Sequence, residues 1–144
     1  MIKWIRSWFT PDPIFEGNIP TRGSKEAAGL DLVSVGNWHI PQRSTMVILT
    51  GTRCSFNKGW AAFIWDRSGL GAKGIHRFAG VIDSDYRGEW GVVIHNSTNM
   101  PLYIGSGDRV AQVVFQRVWL GRPRAGVVRN DTDRGSKGWG STGQ

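Results

Sequence analysis

Cysteine is almost missing from this chain: Cys54 is the one thiol among 144 residues. No intrachain disulfide can form, so a bridge-stapled secreted fold is excluded, and Cys54 reads as a small buried thiol rather than a nucleophile. No stretch approaches the roughly 20 apolar residues that span a bilayer. The opening Met1-Ile2-Lys3-Trp4-Ile5-Arg6 lacks the continuous apolar run of a signal peptide. These absences describe a soluble protein of the cytoplasm, or of a host's cytoplasm if the source is viral, with no membrane partner. Metal-ligand spacing is absent too. His39, His76 and His95 stand in no zinc-like relation to one another or to Cys54. The GxxxxGK[ST] spacing of a P-loop does not occur, no Ser-His-Asp order emerges, and no window carries a 3.6-residue apolar period.

Acidic residues are also in short supply, 11 against 18 lysines and arginines, for a formal net charge of +7. A basic surface suits polyanions: nucleic acid, an anionic membrane or a small phosphorylated ligand. The basic residues are scattered rather than clustered, which makes nucleic acid an unlikely partner. What the chain does have is 20 glycines, 8 tryptophans and 40% hydrophobic residues. That balance predicts many turns, short strands and a packed core in one domain.

Residues 1–28 read as irregular, with Pro11, Pro13 and Pro20 blocking any long helix. Strand-like runs follow at Leu30–Val35, Thr45–Thr50, Trp60–Trp65, Phe78–Ile82, Trp90–His95, Pro101–Ile104 and Arg109–Leu120. Their spacing predicts an all-β sandwich, barrel or jelly roll. Period two in the last run points Ala111, Val113 and Phe115 one way, and Gln112 with Gln116 the other. Three segments result: an N-terminal stretch (1–27), a β core (28–127) and a polar, Gly-rich tail (128–144).

Three concentrations of polar chemistry stand out. In Gly80-Val81-Ile82-Asp83-Ser84-Asp85-Tyr86-Arg87-Gly88, apolar residues lead straight into Asp83. A partly desolvated carboxylate there is a better base, and Asp83 and Asp85 share a face if the strand stays extended. An Asp-rich hairpin turn with no further role fits the same residues. In Asp66-Arg67-Ser68-Gly69-Leu70-Gly71-Ala72-Lys73-Gly74, guanidinium, hydroxyl, ammonium and open backbone amides are what phosphate oxygens require. A Gly-rich surface loop fits equally. The tail repeats that chemistry in Arg134-Gly135-Ser136-Lys137-Gly138-Trp139-Gly140-Ser141-Thr142 and adds an aromatic suited to stacking on a base. A segment of this kind that orders over a nucleotide is a lid.

In this order the segments resemble the trimeric dUTPase family. Ala28-Gly29-Leu30-Asp31-Leu32 is similar to the family's first motif, Arg67-Ser68-Gly69-Leu70 to the second and Gly80–Gly88 to the third. Gly107-Asp108-Arg109-Val110-Ala111-Gln112 is similar to the fourth and Arg134–Thr142 to the fifth. The resemblance implies a distorted jelly roll of the β-clip kind, a homotrimer with sites shared between subunits, and hydrolysis of dUTP to dUMP and pyrophosphate with Mg2+. It implies Asp83 as general base toward a water attacking the α-phosphorus, and Tyr86 against the deoxyribose. Asp31 would act on the metal's hydration shell, the triphosphate holding the metal itself. Arg67, Ser68, Gly69 and Gln112 would contact phosphate oxygens. Arg134, Ser141 and Thr142 would lie near the γ-phosphate, with Gly138 beside Trp139 and Trp139 stacked on uracil.

Two departures stand out. The family more often has Phe where Trp139 stands. Asp66 places an acid directly before Arg67, a less favourable local charge. Two rival readings fit these residues less well: a dCTP deaminase-like or bifunctional relative, whose chemistry needs a Glu base in a differently written central motif, and a non-catalytic basic protein binding nucleotide or nucleic acid. The second rests on charge and tryptophan content alone.

Overall fold

A computed structural model describes residues 9–138. The apolar alternation yields twelve short strands among those residues. They are β1 (Ile14–Gly17), β2 (Thr21–Arg22), β3 (Leu30–Val33), β4 (Trp38–Ile40), β5 (Ser44–Leu49), β6 (Thr52–Ser55), β7 (Trp60–Trp65), β8 (Ile75–Phe78), β9 (Val81–Asp83), β10 (Gly91–Asn96), β11 (Leu102–Ile104) and β12 (Arg109–Arg117). A four-residue helix, α1 (Ser68–Gly71), sits between β7 and β8. The order β2-β3-β12-β7-β9 makes a five-stranded antiparallel sheet. A second sheet runs β5-β10-β8, and the pairs β1-β6 and β11-β4 close the ends. The all-β jelly roll is therefore present.

The core lies between these sheets. Leu32, Ile40, Ile48, Ala62, Ile64, Trp90, Val92, Ile94, Ala111 and Val113 are almost wholly removed from water. Burying each large side chain contributes about 1.5–3 kcal/mol. Phe15 meets Trp90 edge-on at 6.0 Å and Phe115 at 6.3 Å, which fastens β1 to the core. The buried Asn96 donates to the carbonyls of Ile40, Pro41 and Met100 and accepts from Thr98, so its polar atoms are satisfied inside.

Three local expectations change. Residues 1–28 are not uniformly irregular, because β1 pairs with β6 and β2 with β3. The single run Phe78–Ile82 is two strands. Ala79 and Gly80 both take positive φ, 60° and 109°, and turn β8 away from β9 into a different sheet. In β12 the alternation holds from Ala111 onward, but Val110 is buried beside Ala111 because a bulge interrupts the register between Arg109 and Ala111.

Candidate active site

β3 carries Asp31 next to Gln112 of β12, which in turn lies opposite Trp65, the last residue of β7. The chain leaving β7 therefore delivers Arg67 to the same end of the sheet. Arg67 Nε donates to Asp31 Oδ1 at 3.0 Å, and Arg109 Nη1 reaches Asp31 Oδ2 at 3.4 Å. Two guanidiniums against one carboxylate leave one net positive charge there. The Asp31 side chain is only 15% exposed, so this pairing is screened less than a surface ion pair. The Arg67 contact uses one of five N–H donors in the fork, leaving others for an anion. A cleft of about 280 Å³ opens beside it, lined by Arg67, Leu70, Leu102, Tyr103, Asp108 and Arg109 among others.

Gln112 is held as closely. Its Nε2 donates to the Asp66 carbonyl at 2.9 Å. Its side chain lies across Gly29: a Cβ there would fall 2.3 Å from Gln112 Oε1. Glycine at this position is a requirement of close approach. The loop after β7 presents Ser68 and Gly69 to solvent beside Arg67, while Gly74 is tied down by Ser97, whose Oγ donates to its carbonyl. Four of the candidate phosphate contacts thus gather at one place: Arg67, Ser68, Gly69 and Gln112. Asp31 joins them.

Asp83 does not. It ends β9 opposite Ala61, whereas Asp31 is in the row of Gln112 and Trp65. Four residues along the strands and three strand spacings separate the two rows, roughly 20 Å at about 3.3 Å per residue and 4.8 Å per strand. Asp83 is also exposed, so the chain alone does not supply the desolvation expected of it. The backbone turns immediately after it, Tyr86 N donating to the Asp83 carbonyl, and Asp85 lies in that turn rather than further along the same strand face. Asp83 borders a cleft of about 580 Å³ with Lys58, Trp60, Ser84, Asp85 and Leu120.

The segment beyond Asp83 is not the hairpin turn the sequence suggested, because β9 and β10 lie in different sheets, but a braced crossover loop. Tyr86 Oη donates to the Glu89 carbonyl at 3.1 Å, and the ring covers Gly88, whose hypothetical Cβ would sit 2.3 Å from Oη. Glu89 Oε1 accepts from Gly51 N at 2.7 Å, and Arg53 Nε donates to the Arg87 carbonyl at 2.9 Å. Tyr86 itself stays nearly half exposed. Cys54 is buried in β6, and burial pushes its thiol up to about 11, as an inert core thiol requires.

The tail from 118 to 138 runs in the open. Trp119, Leu120, Val127 and Val128 stand in water, and Val127 is 98% exposed. Arg134 Nε donates to the Lys137 carbonyl, and Gly138 is exposed. Trp139, Ser141 and Thr142 lie outside the described residues. Among the described residues no three His, Cys, Asp or Glu side chains gather to hold a metal, and no helix is long and apolar enough to cross a membrane. Sequence reasoning missed Arg109 as the second partner of Asp31 and the bracing by Glu89 and Arg53. Arg109 lay inside a quoted motif; Glu89 and Arg53 gave no local signal.

Comparison with known proteins bears on the family and the fold. The family profile described as dUTPase matches residues 16–143. The deoxyuridine 5'-triphosphate nucleotidohydrolase of Variola virus is 41% identical over 124 residues, 86% of this chain and 84% of that protein. The mitochondrial enzyme of the same description from Homo sapiens is 41% identical over 126 residues, 87% of this chain and 50% of that protein. Among solved structures, the dUTPase of Staphylococcus bacteriophage 80alpha with dUpNHpp superposes with a TM-score of 0.86 at 23% identity, covering 94% of this chain and all of that one. The native EIAV dUTPase gives a TM-score of 0.73 at 22% identity over 83% of this chain and 99% of that one.

Proposed function

The chain belongs to the dUTPase family, and from that premise we propose that it hydrolyses dUTP to dUMP and pyrophosphate in sites built from more than one copy of itself. The observation carrying the second half is the separation of Asp83 from Asp31 by roughly 20 Å, and from Gln112 by roughly 16 Å, on one sheet. A triphosphate is far shorter than that. A base and a phosphate cradle that must flank one α-phosphorus therefore come from different chains.

In the reaction, Asp83 accepts a proton from a water as its oxygen bonds to the α-phosphorus. The bond from that phosphorus to the α,β-bridging oxygen breaks, and pyrophosphate leaves. Arg67, Gln112, the Ser68 hydroxyl and the Gly69 amide hold phosphate oxygens as charge redistributes. Tyr86, braced over Gly88, packs on the deoxyribose and leaves no room for a 2′-hydroxyl. Backbone groups of the 83–90 loop read uracil; cytosine, with donor and acceptor exchanged, leaves them unpaired. The segment 128–144 closes over the ligand, with Gly138 and Trp139 at the base and Arg134, Ser141 and Thr142 near the γ-phosphate.

Mg2+ fits an outer role here. Asp31 already gives each oxygen to an arginine, and each oxygen keeps a second lone pair for a metal-bound water. The triphosphate would hold the ion, whose two positive charges would offset part of its roughly four negative ones, with the basic side chains meeting the rest.

A homotrimer agrees with the surfaces. Val47, Leu49 and Phe78 leave the outer face of the β5-β10-β8 sheet apolar, and the tail's exposed side chains have no core of their own. Self-association of such faces removes apolar area from water. The test is Mg-dependent pyrophosphate release from dUTP, with dCTP, dTTP and UTP in parallel. Selective turnover lost in Asp83→Asn is expected. A folded assembly with no turnover overturns the reading.

A further inference from the structure

We propose that Asp66 and His76 form a clasp that sets the position of the phosphate-binding loop, making Asp66 a positioning residue for the triphosphate; this rests on the function proposed above. Asp66 was the departure whose charge looked unfavourable beside Arg67. Its carboxylate turns away from that side. Oδ1 accepts from the backbone N of Arg77 at 2.7 Å, and Oδ2 lies 3.1 Å from His76 Nδ1. A carboxylate can only accept, so Nδ1 carries the proton whichever charge state the ring has.

The consequence is topological. Asp66 follows the last residue of β7, and His76 and Arg77 belong to β8. β7 and β8 lie in different sheets. One side chain thus bolts together the two ends of the segment that carries Arg67, Ser68 and Gly69. Its Cβ lies 3.8 Å from where a Cβ on Gly71 would stand, so the side chain passes beneath α1. The same residue's carbonyl accepts Gln112 Nε2 at 2.9 Å. Asp66 is therefore covalently joined to one phosphate contact and hydrogen-bonded to another. Losing the clasp lets the loop ends separate, and both contacts lose their registration together. Displacements of this size cost rate because the donors must sit where charge develops.

The test is a double-mutant cycle on the assembled protein with dUTP. Asp66→Ala should lower kcat/KM about tenfold. In the Arg67→Ala and Gln112→Ala backgrounds its further effect should shrink to about twofold or less, since what it positions is already gone. Asp66→Asn, which keeps an acceptor for Arg77 N, should recover much of the loss. If Asp66→Ala does not fold, His76→Ala, a half-exposed site, takes its place with a smaller loss of about threefold that also vanishes beside Arg67→Ala. Unchanged kcat/KM in a folded variant overturns the clasp, as do losses that multiply fully in the double mutants. Wild-type protein without turnover overturns the dUTPase reading itself, and the clasp with it. An active wild type with an indifferent Asp66→Ala overturns the clasp alone.

Discussion

Mixing two inactive variants tests the divided site directly. Asp83→Asn removes the proposed general base, for an expected loss of about 10²–10⁴ in rate. Arg67→Ala removes a charged donor to the phosphates, a loss of about 10²–10³. Each pure variant should therefore turn over at roughly one per cent of wild type or less. The strand ladder places the two residues at opposite ends of the five-stranded sheet, Arg67 beyond Trp65 of β7 and Asp83 opposite Ala61 at its start. Four residues separate Trp65 from Ala61, about 13 Å along the strand before the lateral step to β9 is added. No side chain closes that gap.

If each site takes Asp83 from one chain and Arg67 from another, a randomised equimolar mixture restores some of them. Half of the Asp83 positions come from the Arg67→Ala chain and are intact. Half of the Arg67 positions come from the Asp83→Asn chain and are intact. About a quarter of sites then carry both, so the mixture should recover about 25% of wild-type activity. The assay is pyrophosphate release after co-refolding differently tagged chains, with tag capture confirming exchange. Activity that stays at the level of the pure variants in a verified mixture refutes the divided site.

Three further outcomes follow from close contacts. Gly88→Ala places a methyl 2.3 Å from Tyr86 Oη and 2.5 Å from Cζ; the ring must swing away, and the ratio of kcat/KM for dUTP over UTP should fall at least several-fold. Gly29→Ala drives a Cβ to 2.3 Å from Gln112 Oε1; the bond to the Asp66 carbonyl should break, KM for dUTP should rise, and the Tm should drop by an amount consistent with about 1–3 kcal/mol. The Cys54 thiol keeps its proton to about 11 when folded, against an ordinary 9.0. The unfolded chain gives up that proton first, so this contribution is intact below pH 9 and drains away as pH rises toward 11. Melting curves across that window should fall more steeply for wild type than for Cys54→Ala; parallel slopes would exclude the thiol as the cause.

The strands were readable where a short apolar run stands between turn-forming residues. Trp60–Trp65 was found to the residue, because Ala61, Ala62 and Ile64 are buried between turn-forming neighbours. Thr52–Ser55 was missed although Thr52 and Cys54 face inward, since Arg53 and two small polar residues give the run little apolar weight. The site divided in the same way. Ser68 and Gly69 were readable as candidate donors because guanidinium, hydroxyl and open amides stand together in one loop. The pairing of Asp31 with Arg67 and Arg109 spans 36 and 78 residues, and only the β3-β12-β7 order brings them together. Asp66 was misjudged for the same reason: its charge was weighed against its neighbour in sequence, while its partners lie ten and eleven residues on.

That arrangement bears on how the cradle is kept ready. Arg67 and Arg109 without Asp31 would be two like charges meeting at one sheet end, and each would need a counter-charge or solvent to stay in place. Asp31 holds Arg67 through Nε, which fixes the plane of the fork while sparing other N–H donors. A triphosphate then meets a guanidinium already oriented and a cluster whose net charge is one positive unit, so less side-chain freedom is lost on binding. In the proposed assembly the base is Asp83 of another chain, a carboxylate exposed in the single subunit. On that proposal assembly would bring the cradle and the carboxylate into one pocket, and an isolated subunit should bind pyrophosphate-like anions weakly and hydrolyse nothing. Dilution below the dissociation constant of the assembly should therefore abolish turnover without melting the fold, with circular dichroism unchanged while activity falls faster than linearly with concentration.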